Sequence, residues 1–97
     1  LMIIRIVKLS ISSSHIDDFT NLFKENKNKI LNFEGCNHVE LLKESGNENI
    51  FFTYSHWEQI SDLEKYRESS TFKEIWKKTK TYFCDKPQAW SLNKTNI

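Results

Sequence analysis

Phe51-Phe52-Thr53-Tyr54-Ser55-His56-Trp57-Glu58 is the stretch that decides the fold, together with four downstream segments: Tyr66-Arg67-Glu68-Ser69, Phe72-Lys73-Glu74-Ile75-Trp76, Phe83 and Lys86-Pro87-Gln88-Ala89-Trp90-Ser91-Leu92. Aromatic and β-branched residues dominate up to Trp57, which is strand chemistry. After Trp57 the period changes. Ile60, Leu63 and Tyr66 recur every three residues, as on one side of a short helix. Arg67-Glu68-Ser69-Ser70 interrupts that helix, and Thr71 to Glu74 has the spacing of a new capped start. Phe72, Ile75, Trp76, Thr79 and Phe83 then share one helical face. Pro87 blocks continuation, leaving Ala89–Leu92 as a short final strand.

Working upstream, Ser45-Gly46-Asn47-Glu48 is turn chemistry, so residues 36–44 and 50–57 are expected to form a hairpin. Val39 and Leu41 fall on one face of the earlier strand and Leu42 on the other. Gly35 closes a helical segment that begins near Ser14, whose spacing to Asp17 fits a capping box. Ile16, Phe19, Leu22, Phe23, Ile30 and Leu31 lie near one face of that helix, which should run to about Asn32. Residues 2–11 read as a strand, with Ile3, Val7, Leu9 and Ile11 on one face and Met2, Ile4 and Ile6 on the other. Lys94–Ile97 is expected to be a frayed tail.

The order is β-α-β-β-α-β, an α+β ferredoxin-like arrangement with an antiparallel sheet, in a single domain over residues 2–94. Its first and third strands are apolar on both faces. Helices on one side of the sheet cover only one of those faces. The other would leave Ile, Phe and Trp90 in water, so a second copy packing sheet to sheet is expected, giving a homodimeric α+β barrel.

Composition supports one modest core and limits the function classes. The chain has 97 residues, 13% of them aromatic, with only two glycines and one proline. Large rings bury much area each, which suits a small domain. Fourteen basic and 13 acidic residues give a net charge of +1, no footprint for nucleic acid or an anionic membrane. No stretch approaches the length of a membrane span. Met2-Ile3-Ile4-Arg5 lacks the basic segment of a secretory leader. Leu1 ahead of Met2 reads as a leftover residue, so Met2 is expected to be the natural start. Cys36 and Cys84 have no metal-type spacing and read as reduced thiols in a cytoplasmic protein.

No P-loop, dinucleotide fingerprint, nucleophile elbow or clustered metal-ligand set is present, so neither cofactor nor metal is expected. His15 and His38 read as solvated or structural imidazoles. Asp17-Asp18 sits where a helix dipole favours negative charge. The end of the third strand is the better candidate. Trp57 offers a flat face for an aromatic ligand, and His56 titrates near neutrality and is a candidate acid/base. Alternation places the two on opposite faces, so the competing reading makes Trp57 a core anchor and His56 an interface residue. Arg5, mid-strand on the face of Val7, needs a partner such as Glu40 or a ligand anion; the pair with Glu40 is the expectation.

Across nearly the whole chain, from Met2-Ile3-Ile4-Arg5-Ile6-Val7-Lys8-Leu9 through Phe33-Glu34-Gly35-Cys36 to Ala89-Trp90-Ser91-Leu92, these landmarks resemble the antibiotic biosynthesis monooxygenase family of small dimeric α+β barrel proteins. The resemblance implies a cofactor-independent monooxygenase that oxidises a small aromatic or quinol-type molecule with dioxygen. In such enzymes a substrate carbanion or phenolate delivers electrons to oxygen, while the protein binds the ring, excludes water and helps remove a proton. A haem-degrading branch uses an Asn on the first strand, a Trp ending the third and a His on the late helix. Here Val7 and Trp76 stand at the Asn and His positions, and only Trp57 matches.

The expected site therefore comprises His56 and Trp57 as catalytic residues, with Tyr54, Ser55, Tyr66, Phe72 and Trp76 binding substrate. The alternative is a non-catalytic small-ligand-binding or signalling module on the same barrel. An isomerase-like use of the barrel is a third.

Overall fold

Backbone pairing joins four strands into one antiparallel sheet in the order β2-β3-β1-β4. The computed structural model describes residues 2–97; Leu1, and with it the reading of that residue as a leftover, lies outside them. The elements are β1 (Ile3–Ser10), α1 (Ile16–Leu31), β2 (Cys36–Lys43), β3 (Ile50–Trp57), α2 (Ile60–Glu68), α3 (Ser70–Lys80) and β4 (Gln88–Asn93), with a 3-10 turn at Ser13–His15 before α1. The chain is thus α+β and ferredoxin-like, its sheet open rather than closed on itself.

Register explains which side chains meet the helices. Arg5 pairs with Ser55 and Ser91, and Val39 with Ser55, so these lie on the helix-covered face. Ile3, Val7, Leu9, Phe51 and Thr53 share that face by alternation. The opposite face carries three cross-strand rows: Leu42-Phe52-Lys8-Gln88, Glu40-Tyr54-Ile6-Trp90 and His38-His56-Ile4-Leu92. No helix among the described residues covers it, and Leu42, Trp90 and Leu92 are each more than 40% exposed at 43%, 42% and 44%.

Several local expectations need correction. Ser14 lies inside the 3-10 turn and caps nothing, so the capping box does not form. Leu31 points to solvent instead of joining the α1 core face. The cap of α3 is Ser69, not Thr71. Its Oγ accepts from the Phe72 N–H at 3.1 Å and donates to the Tyr66 carbonyl at 2.6 Å, so one serine ends α2 and starts α3. A bulge between Cys36 and His38 turns Cys36 into the core while His38 stays on the open face.

Two apolar clusters fill the space between sheet and helices. One gathers Ile3, Ile30, Cys36, Val39, Trp57, Leu63 and Tyr66; the other gathers Leu9, Ile11, Phe19 and Phe51. Gly35, with φ of +82°, lets the β2 entry pass against Asp62 of α2.

Candidate functional site

Between the two clusters lies a cavity of about 270 Å³. Arg5, Val7, Thr53, Ser55 and Trp57 form its floor on the sheet. Phe19, Leu22 and Phe23 of α1, Leu63, Tyr66 and Arg67 of α2, and Phe72, Ile75, Trp76 and Thr79 of α3 form its walls. Pro87, Gln88 and Ala89 form the rim beside β4. Ligand sites commonly span about 300–1,000 Å³, so this one suits a small molecule.

The walls are a run of aromatic contacts. Trp57 stacks on Tyr66 at 5.1 Å, Tyr66 meets Phe72 edge-on at 5.2 Å, and Phe72 stacks on Trp76 at 5.9 Å. Trp76 in turn meets Phe83 edge-on at 5.5 Å. Such a series follows from the helical spacing of Phe72 and Trp76 on α3 and from the way Ser69 sets α3 against α2. Trp57 is only 1% exposed, so it closes the floor as a packed ring; the half-buried Trp76 presents the more accessible indole.

Few polar groups face this space. The Trp57 Nε1–H donates to Ser55 Oγ at 3.0 Å, which leaves the Ser55 hydroxyl proton free to donate. Thr79 Oγ1 donates to the Ile75 carbonyl at 2.7 Å. The Tyr66 hydroxyl has no hydrogen-bond partner among the described residues, and Tyr66 lines the cavity. Burial, with a smaller effect from Cys36, pushes its pKa well above the ordinary phenol value. Tyr66 is therefore a neutral hydrogen-bond donor at any physiological pH.

Five of the expected site residues meet here: Ser55, Trp57, Tyr66, Phe72 and Trp76. Tyr54 and His56 do not. They sit on the open face of the sheet, where His56 Nε2 and the Tyr54 hydroxyl are 2.8 Å apart. His38 lies beside them, its Nε2 3.0 Å from Glu40 Oε2 and its ring centroid 5.4 Å from that of His56. Alternation in β3 puts the full thickness of the sheet between His56 and the cavity.

Arg5 does not pair with Glu40, because Glu40 belongs to the open face and engages His38. The Arg5 guanidinium donates to Ser91 Oγ at 2.9 Å. Burial, and then the nearby Arg67, lower its pKa. Arg67 was readable only as part of a helix break. Its signal was the i, i+4 step from Leu63, which puts both on one side of α2. No His, Cys, Lys, Asp or Glu lines the cavity, and the described residues hold no cluster of potential metal ligands. Val7 and Trp76, the positions of the haem-degrading Asn and His, both line it with apolar groups.

Comparison with known proteins bears on the fold and the family. The solved structure of a conserved protein from Methanosarcina mazei Go1 is 23% identical, with a TM-score of 0.93 over 98% of this chain and 94% of that one. A protein from Nitrosomonas europaea, provisionally designated an antibiotic biosynthesis monooxygenase, is 13% identical with a TM-score of 0.90, covering 97% and 90% of the two chains. Another so designated, from Bordetella bronchiseptica, is 21% identical with a TM-score of 0.86, covering 97% of each. At these identities the likeness speaks for the fold. No curated protein matches the chain significantly. The sequence profile of the antibiotic biosynthesis monooxygenases matches residues 2–78. The chain belongs to the antibiotic biosynthesis monooxygenase family.

Proposed function

We propose that this protein is a homodimeric, cofactor-independent monooxygenase of a small aromatic or quinol-type substrate. The observation that carries the reading is the half-open apolar cavity, walled by Tyr66, Phe72 and Trp76 and floored by Trp57. An electron-rich ring lies along this wall, with its oxygen substituents within reach of the Ser55 and Tyr66 hydroxyls. Arg5 and Arg67 favour the deprotonated substrate, because positive charge in a low-dielectric site stabilises the anion. That anion passes electrons to dioxygen. For an anthrone-like methylene, one oxygen atom becomes the new carbonyl and the other leaves as water. The open-face location of His56 and Tyr54 supports an interface role for both rather than acid/base work.

Oxygen uptake tests this with a panel of hydroquinones and anthrone-like phenols, in the absence of added flavin, haem or metal. Turnover at one dioxygen per substrate is expected, reduced at least tenfold by Trp76→Ala or Tyr66→Phe and much less by His56→Gln. Uptake no faster than in buffer across the panel refutes it.

A second reading is favoured by one observation: among the described residues, nothing ionisable lines the cavity apart from two arginines and a phenol. A site without a group titrating near neutrality suits a binding module. Micromolar binding of a panel compound with no oxygen consumed supports the module over the enzyme.

A further inference from the structure

Among the described residues, Arg5 and Arg67 are the only charged ones lining the cavity, and both are positive. Arg5 sits in the middle of β1 on the helix-covered face, half-buried, with Ser91 as its hydrogen-bond acceptor. A guanidinium has five N–H donors and stays charged at any physiological pH. The bond to Ser91 therefore leaves most of its donors unused. Arg67 lines the same cavity and acts on Arg5 as a like charge.

Neither arginine has an acidic partner among the described residues. The ion pairs among the described residues are His15 with Asp18, His38 with Glu40 and Lys65 with Glu34. Glu64 and Glu68 border Arg67 on the outer side of α2, in a shallow surface groove away from Arg5, and neither forms an ion pair with it. Arg5 is half-buried and loses hydration at the edge of an apolar cavity, while the exposed Arg67 adds a second positive charge at the same edge. A pair so placed is a receptor for an anion, and a carboxylate matches the guanidinium fork in shape as well as charge.

We propose that the cavity takes an aromatic acid: a one- or two-ring phenol or quinol bearing a carboxylate, its ring along Tyr66, Phe72 and Trp76 and its carboxylate between Arg5 and Arg67 on the β4 side. This deepens the reading of the cavity as an aromatic-substrate site and rests on it. The volume of about 270 Å³ leaves room for a small ring system only. The carboxylate marks one end of it, so the ligand enters in a single orientation with its far edge toward Ser55 and Trp57.

Calorimetric titration of the full chain with two probes tests the assignment. One is a hydroxynaphthoate with its hydroxyl and carboxylate on opposite rings; the other is β-naphthol, which lacks only the carboxylate. The hydroxynaphthoate should bind at least about tenfold more tightly, equivalent to about 1.4 kcal/mol. Arg5→Gln and Arg67→Gln should each remove most of that advantage, weakening the hydroxynaphthoate far more than β-naphthol. In the unaltered chain, raising the ionic strength should weaken the acid and not the naphthol, a readout independent of how well any variant folds. Equal affinities, or an advantage insensitive to both substitutions, overturn the proposal while leaving the aromatic cavity in place; a second copy's acid filling the arginine pair would give that result. Binding of neither probe defeats both. Tight binding of the acid with no oxygen uptake upholds the anion site and counts against the monooxygenase.

Discussion

The indole of Trp57 lies against the phenol ring of Tyr66, centroids 5.1 Å apart and planes 25° from parallel, and so ties the end of β3 to α2. The two rings are 1% and 8% exposed, which makes this contact part of the core as well as the cavity floor. Trp57→Ala should cost about 3–5 kcal/mol of stability, the range for truncating a large buried ring. Urea unfolding measures it. Trp76→Ala, at a half-buried ring, should cost clearly less stability and more ligand affinity. Equal losses of stability would contradict this division of roles.

Gly35 and Gly46 both adopt positive φ, +82° and +83°, but only Gly35 faces an obstacle. A Cβ there would run into the Asp62 side chain, whereas one at Gly46 would meet open space. Gly46→Ala should cost about 1–2 kcal/mol for the left-handed backbone alone. Gly35→Ala adds the collision and should cost more. Thermal melts of the two variants make the comparison, and the reverse order would refute it.

The open face of the sheet, with Ile4, Ile6, Phe52, Trp90 and Leu92 in its cross-strand rows, should carry the subunit contact. Sedimentation at micromolar concentration should give twice the chain mass of 11.6 kDa. Trp90→Asp should raise the dimer dissociation constant at least about tenfold, since a charge would enter a desolvated face. A soluble monomer in the unaltered chain would contradict the assignment.

His56 gives this face a pH dependence. Burial, then His38 and Lys94, lower its pKa from 6.5, with Glu40 opposing. Tyr54 also faces it and is hydrogen-bonded to it. An unfolded chain takes up the proton near 6.5, while the folded sheet resists, so stability should fall as pH drops below about 6.5. The loss is complete below the folded pKa. Its size in a single chain should be well under about 1 kcal/mol, because the ring is partly solvated. A second copy over the face would enlarge it. Melting curves at descending pH should therefore show a downward trend that His56→Gln reduces.

Strand alternation and helical spacing made most of this architecture legible. Phe51, Thr53, Ser55 and Trp57 share a face because strand geometry has a period of two, and Phe72 with Trp76 share one because a helix turns between them. The same alternation already separated His56 from Trp57; placing both in one site set the chemistry of imidazole above the geometry of the strand. The bulge at Cys36 was not legible, because an extra residue leaves no mark on a local pattern. Pairing Arg5 with Glu40 fails because register between non-adjacent strands is a tertiary property. β3 lies between β1 and β2, and only the paired sheet shows that the two side chains leave it in opposite directions.

β4 rests on β1 alone, at the edge of the sheet, and all six of its residues are exposed. In an isolated chain such a strand opens at little cost, because few buried contacts resist its departure. Yet β4 supplies Ser91 to Arg5, and its first residues form the cavity rim. Amide protons along Gln88–Asn93 should accordingly be the first in the sheet to exchange with solvent. Subunit association and ligand occupancy would both slow that exchange, so the integrity of the cavity mouth is set by how firmly one peripheral strand is held.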